Sequence, residues 1–262
     1  FRWSVEGWEY KITNKGVNEV FIEIITCPYQ AAMSRNPERH DKIKPICLDM
    51  CIPFYETITT DFNTNITLRR DKFQGLGDKT CSFHFSIEDE EKSLKEPFNR
   101  RKISIEDKLF YFEKNFFTLD GLWIIETENE LDWDTALKVD IIVWQRLYQI
   151  IFRRVKKYIK IKENSIKELI ELLSFIWSCE GYEYKIVKQE GDEAILHMTM
   201  CPYKAAMDRN PERHDKIEAI CKDMCIPFYE PAIHDFNPRI KLERNKFLGL
   251  GDDVCDYHFK LE

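Results

Sequence analysis

The sequence predicts an α+β fold written twice, with a helical segment set before the second copy. Three observations predict it. A phrase "RNPERHDKIKPICLDMCIPFYE" begins at Arg35 and returns at Arg209 as "RNPERHDKIEAICKDMCIPFYE". Shifting the chain by 174 residues aligns residues 1–85 with 175–259 without a gap, and roughly 50 of about 85 positions are then identical. Each copy alternates strand-like stretches with short helical ones, whereas residues 104–174 carry helical periodicity throughout. Helices packed on antiparallel sheets are expected. The copies are expected to pair about a pseudo-twofold axis as an intramolecular pseudo-dimer, because duplicated domains commonly keep an ancestral homodimer contact.

In the first copy, residues 1–87, "WEYKIT" and "EVFIEIIT" predict two strands joined by the turn "NKGVN", the second ending at Cys27. Both faces of that sheet should be covered, since the second strand is apolar along its length. Pro28 suits the first position of a helix "PYQAAMSR". A further helix lies in "NPERHDKIKPICLDMC", and Pro53 should stop it. "NITLRRDKF", the turn "QGLGDK" and "TCSFHF" then close the copy as a hairpin carrying Cys81. Residues 88–103, charged and poor in apolar side chains, predict a linker. From Ser104, "SIED" has capping-box form, and "TALKVDIIVWQRLYQIIFRRVKKYI" and "SIKELIELLSFIW" keep apolar residues at helical spacing. Residues 104–174 are thus the helical cover of the second copy, residues 175–262. The first copy has no such segment ahead of Phe1, and the natural gene is expected to encode one there.

Composition narrows the function classes. The chain has 39 Lys and Arg against 46 Asp and Glu, a net charge of −7, so no global positive field exists to hold nucleic acid or an acidic membrane surface. The basic run "RRVKKYIKIK" from Arg153 sits on an amphipathic helix and predicts a solvated face. No apolar run approaches the roughly 20 residues of a membrane span. A soluble protein of the reducing cytoplasm is expected, and the abundance of Ile, Lys, Glu and Phe is compatible with an anaerobe. The sequon Asn65-Ile66-Thr67 is lost in the second copy, where Arg239 replaces the asparagine, and so predicts no glycan.

Eight of the nine cysteines fall at equivalent positions: Cys27, Cys47, Cys51 and Cys81, then Cys201, Cys221, Cys225 and Cys255. Strand residues around them have drifted between the copies while these have not. Cys47 and Cys51, at i and i+4 on a predicted helix, share one face with Cβ atoms about 6 Å apart. Cys27 stands at a helix N-terminus, whose partial positive charge favours thiolate. Four thiolates complete a tetrahedral zinc site or the ligand set of one [4Fe–4S] cluster. The spacing C-x19-C-x3-C-x29-C is neither a zinc ribbon nor a ferredoxin run, and small buried thiols or disulfides are the competing readings. One [4Fe–4S] cluster per repeat is expected, with zinc as the alternative. Because a fully ligated cluster leaves no open iron, it favours electron transfer or sensing, with a redox partner protein and further self-association as expected partners.

The segment "ICKDMCIPFYEPAIHDFNPRIKLERNKFLGLGDDVCDYHFKLE" resembles the C-terminal half of the L-2-amino-thiazoline-4-carboxylic acid hydrolase family. The helical part, with Asp120-Gly121-Leu122-Trp123, Ala136 and Trp144, resembles that family's uncharacterised archaeal and bacterial relatives, and both are similar to vinyl-reductase-like and heme-NO-binding-like domains. The resemblance implies helices on an antiparallel sheet and a small-ligand or metal pocket near the cysteines. It also implies an alternative function, hydrolysis of a thiazoline-type ring by water addition to C=N. His214 and Asp223, with His40 and Asp49 at the equivalent positions, are the acid–base candidates, and a pocket beneath the 104–174 helices is where the reaction would sit. A solvent-facing histidine on a charged helix competes with that role. His84 and His258 predict satisfied surface residues, and Asp78 and Asp252 predict turn formers.

Overall fold

The computed structural model describes residues 2–16, 18–87 and 103–262. The expected linker therefore lies outside the described residues, except for Ile103. Two compact units result, Phe1–Lys114 and Asn115–Glu262. The division falls inside the helix that opens the 104–174 segment, so residues 105–114 group with the first unit, where Tyr111 Oη donates to Glu6 Oε1 at 2.6 Å.

The first unit opens with a single helical turn, α1 (Arg2–Val5), then β1 (Glu9–Lys15) and β2 (Glu19–Thr26) pair antiparallel. Helix α2 (Pro28–Ser34) follows with Pro28 at its first position and Cys27 as N-cap. A 3₁₀ turn (Pro37–Arg39) leads into α3 (His40–Pro45), a π-helical turn (Ile46–Met50) and α4 (Cys51–Phe62). Pro53 was expected to stop a helix here and does not. It sits in the first turn of α4, where a missing N–H costs no intrahelical bond. The hairpin of β3 (Ile66–Arg69) and β4 (Cys81–Ile87) completes a sheet of order β1-β2-β4-β3. Asp78 Oδ2 accepts from Phe73 N at 2.8 Å, which closes the turn before Gly77, whose φ of 103° needs glycine. The core is small, built on Trp8, Ile24, Cys81 and Phe83.

In the second unit and the run into it, α5 (Ile105–Glu130), α6 (Trp133–Tyr158) and α7 (Ile166–Cys179) realise the predicted helices. The capping box at Ser104 and Asp107 forms in both directions at 3.0 Å, and a second one forms at Ser165 and Glu168. Strands β5 (Glu183–Glu190), β6 (Glu193–Met200), β7 (Ile240–Glu243) and β8 (Cys255–Leu261) repeat the first sheet's order as β5-β6-β8-β7. Between them lie α8 (Pro202–Asp208), a 3₁₀ stretch (Pro211–Lys216), α9 (Ile217–Ala219), a second π-helical turn (Ile220–Met224) and α10 (Glu230–Phe236). Strict alternation in β6 buries Ala194, Leu196 and Met198 on one face, while Ile195 and His197 on the other are only half-buried. Covering is thus complete on one face rather than both. Fully buried Trp177 on α7 anchors this core, its Nε1 donating to Tyr229 Oη at 2.8 Å, as Trp3 does to Tyr55 at 2.7 Å in the first unit. Among the described residues no helix is long and apolar enough to cross a membrane.

Candidate thiol centres and an adjoining cavity

Each copy places its cysteines through the same three devices. The strand-to-helix junction places Cys27, and Cys201 in the second copy, as helix N-caps; Cys27 Sγ accepts from Gln30 N at 3.4 Å. The π-helical turn carries Cys47 and hands over to Cys51, whose N–H reaches the Ile46 carbonyl, five residues back; Cys221 and Cys225 repeat this with Ile220. Such wide turns in otherwise tight helices recur at functional sites. The closing strand begins at Cys81 or Cys255, whose sulfur accepts from the N–H of Gln74 or Leu248, in each case at 3.2 Å. The next residue, Gly75 or Gly249, lies so close to the π-turn that a Cβ there would stand 2.4 Å from Cys47 Sγ or 2.3 Å from Cys221 Sγ.

Burial raises the pKa of six of these thiols. It pushes Cys27 up to about 11 and Cys201 and Cys221 up to about 12, and raises Cys47, Cys81 and Cys255 as well. The expected thiolate at the Cys27 helix terminus is therefore overridden, because desolvation outweighs the N–H groups of Gln30 and Tyr29. Neighbouring sulfurs add to the rise. Cys81 and Cys51 act on both Cys27 and Cys47, and Cys225 and Cys255 act on both Cys201 and Cys221. The four thiols of a copy share one electrostatic neighbourhood. Among the described residues, no group of three or more His, Cys, Asp or Glu side chains stands as a ready metal-ion site. Cys179, the odd cysteine, is exposed.

A residue that sequence reading missed completes each centre. Arg244, 8% exposed, donates from Nη1 to Cys225 Sγ at 2.8 Å and from Nε to the Asp256 carbonyl at 2.9 Å. Its guanidinium lies 3.9 Å from the centre of the Tyr257 ring and 4.5 Å from that of Phe247. No carboxylate pairs with it among the described residues, and its Nη2 is buried without a hydrogen-bond partner. Arg70 repeats the arrangement half-buried, with Nη1 at 2.9 Å from Cys51 Sγ and the Phe83 ring centre at 3.8 Å. A buried cation requires a nearby anion. The side-chain hydrogen-bond partner that each guanidinium has is a cysteine sulfur.

The histidine and carboxylate candidates lie elsewhere. His214 and Asp223 are exposed, as are His40 and Asp49. His214 Nε2 meets the Asp208 carbonyl at 3.1 Å and His40 Nε2 the Ser34 carbonyl at 3.0 Å, the same loop contact in both copies. His84 and His258 contact Glu19 and Glu193 across the sheet.

The second unit also holds a cavity of 190 Å³, lined by residues of α5, α6, α8, the π-turn and the segment after it, with Cys201, Cys221 and Cys225 in its wall. Two carboxyls face it. Asp120 accepts from Trp144 Nε1 at 3.0 Å, and burial still pushes it up to about 6; burial and the charge of Asp120 push Asp140, 4% exposed, up to about 7. An acid whose folded pKa is raised contributes stability that is complete below its unfolded value and is lost as pH climbs through the folded one. Asp140→Asn is therefore expected to gain on the order of 2–4 kcal/mol over the wild type at pH 8 and nothing at pH 4, by the roughly 1.4 kcal/mol carried by each pKa unit. Denaturant unfolding at the two pH values checks this; an equal difference at both would contradict it.

Fold and site together define a duplicated α+β protein with one thiol-and-arginine centre in each copy. The chain belongs to a family of unknown function, DUF6125, whose profile matches residues 100–246, spanning the helices and most of the second copy. No curated protein matches the sequence. Among solved structures, 58% of the chain is similar to 96% of a trafficking protein particle complex subunit 3 from Naegleria fowleri covalently bound to palmitic acid, at 10% identity and a TM-score of 0.44. A second similarity joins 55% of the chain to 73% of the phenol-responsive sensory domain of the transcription activator PoxR with phenol, at 11% identity and a TM-score of 0.37. Both likenesses are partial.

Proposed function

We propose that each copy is a cysteine-ligated cofactor site, holding a [4Fe–4S] cluster in preference to zinc, and that the protein serves electron transfer or redox and ligand sensing. The observation that carries this reading is a guanidinium against a sulfur in each copy, buried Arg244 on Cys225 and half-buried Arg70 on Cys51, with no carboxylate paired to either among the described residues. A four-thiolate centre is anionic with either metal, and a fixed cation beside it offsets that charge. Backbone N–H groups aimed at Cys81 and Cys255 stabilise negative charge on sulfur, and Tyr257, Phe247 and their counterparts Phe83 and Phe73 keep water from the arginine side. A cluster gives each thiolate its own iron, so it asks less mutual proximity of the sulfurs than one shared zinc does. When bound, it supplies a reversible one-electron step. Raised thiol pKa values mean that ligation must release protons, so loading weakens as pH falls. The test is the visible spectrum and metal content of protein purified without oxygen. Broad brown absorption with iron supports the cluster, and colourless protein with about one zinc per copy supports the runner-up. Colourless, metal-free protein that takes up neither metal would overturn both.

A second reading, hydrolysis of a thiazoline-type ring, draws on the cavity beneath α5 and α6. His214 and Asp223 are exposed and do not line it, so His214→Ala is expected to match His40→Ala, each changing stability by less than about 0.5 kcal/mol, as surface substitutions do, and leaving any turnover within about twofold. Abolition of turnover by His214→Ala alone would restore that residue to a catalytic role.

A further inference from the structure

The cavity of the second unit has the size, walls and charge of a specific small-molecule site. Its 190 Å³ is somewhat larger than the roughly 150 Å³ of an apolar protein cavity that takes up benzene. Aromatic rings form much of the wall, among them Phe117, Trp144, Tyr182, Tyr203 and Phe228. Into this apolar space face two carboxyls, Asp120 and Asp140. No Lys, Arg or His pairs with either among the described residues, and Asp140 is more than nine-tenths buried with no hydrogen-bond partner. Tyr203 Oη is likewise buried and unpartnered. The two cations that also line the cavity are already matched, Arg213 by Glu128 at 2.7 Å and Lys204 by Asp208 at 2.6 Å. An anionic ligand would meet two like charges. A neutral one would leave the carboxyls unpaired. A cation placed among aromatic faces and carboxylates gains from both.

We infer that this cavity binds a small organic cation, a protonated or quaternary amine on an apolar body about one ring in size. The ammonium is held by Asp120 and Asp140 and the body by the aromatic wall. The inference stands on the cavity alone and does not require the thiol centre beside it to be loaded. It does require the second copy, because the cavity is built from α5 and α6.

Calorimetric titration of the full chain at pH 7.5 with three ring-sized probes tests it: benzylammonium, neutral benzyl alcohol and benzoate. Benzylammonium is expected to bind at least tenfold more tightly than the alcohol, and benzoate not at all. Asp140→Asn, with Asp120→Asn as a second variant should the first fail to fold, is expected to erase most of that preference while the alcohol still binds. Gly121 lines the cavity and has open space where a Cβ would go, so Gly121→Leu should fill it and abolish binding of both probes. Alcohol binding as tightly as the amine, tightest binding by benzoate, no uptake of benzylammonium at millimolar concentration, or amine binding unchanged in Asp140→Asn, Asp120→Asn and Gly121→Leu would each overturn the inference. Metal content measured on the same samples separates these results from any failure of the thiol centres to load.

Discussion

Replacing Arg244 by leucine is expected to destabilise the second unit by about 2–4 kcal/mol, the range for losing a buried charged donor and its partners. Three losses combine. Cys225 Sγ loses its 2.8 Å donor, the Asp256 carbonyl loses a 2.9 Å donor, and the ring of Tyr257 loses the cation above it. Leucine fills much of the space but donates nothing. If a metal centre is present, its anionic charge also loses its fixed counter-charge, so metal content of the second copy should fall with stability. Arg70→Leu is expected to do the same in the first copy at smaller cost, since Arg70 is only half-buried. Urea unfolding and metal analysis of the two variants measure both effects. An Arg244→Leu protein as stable and as loaded as the wild type would show that the arginine does not support the centre.

Gly249→Ala is expected to have the second large effect. The added methyl would lie 2.3 Å from Cys221 Sγ and 2.8 Å from Ile217 Cγ2, so the 3₁₀ turn Leu248–Leu250 must retreat from the π-helical turn Ile220–Met224. Overpacking of this kind costs typically 1–3 kcal/mol. It also pulls the backbone N–H groups of the turn away from the sulfurs, so loading of the second site should fall further than stability alone explains. Gly75→Ala is the matched change in the first copy, with 2.4 Å to Cys47 Sγ. Thermal melts and metal content of the pair check the expectation. Normal loading in both would mean that the turn and the thiols are not one device.

Much of this arrangement is legible in the chain because the chain carries its own comparison. The repeat marks the eight cysteines, and turn chemistry places the hairpins that deliver Cys81 and Cys255. What escapes the sequence has physical reasons. Pro53 reads as a helix stop only if the helix is continuous, and the π-helical turn that resets it at Cys51 has no composition of its own. The helix N-terminus at Cys27 promises a thiolate, but burial, which outweighs it, is a tertiary property. Arg70 and Arg244 did have a signal. They are identical while their neighbours change from Arg69 and Asp71 to Glu243 and Asn245. Asp140 had one too: in α6 the buried positions run Ala136, Asp140, Trp144, Tyr148 and Phe152, and a carboxylate on an apolar stripe marks a special site. Nothing local ties Asp140 to Asp120, since that pairing comes from the packing of α5 on α6.

Each copy is expected to hold its own complete four-thiol centre. The most direct measurement is iron, acid-labile sulfide and zinc per chain in protein purified without oxygen, for the wild type, Cys51→Ser and Cys225→Ser. Two loaded sites are expected in the wild type, about eight irons by cubane stoichiometry, and about half of that in each variant, with the untouched copy keeping its full complement. Loss of both sites from either single change, or a wild type that holds one metal centre per chain, would contradict it.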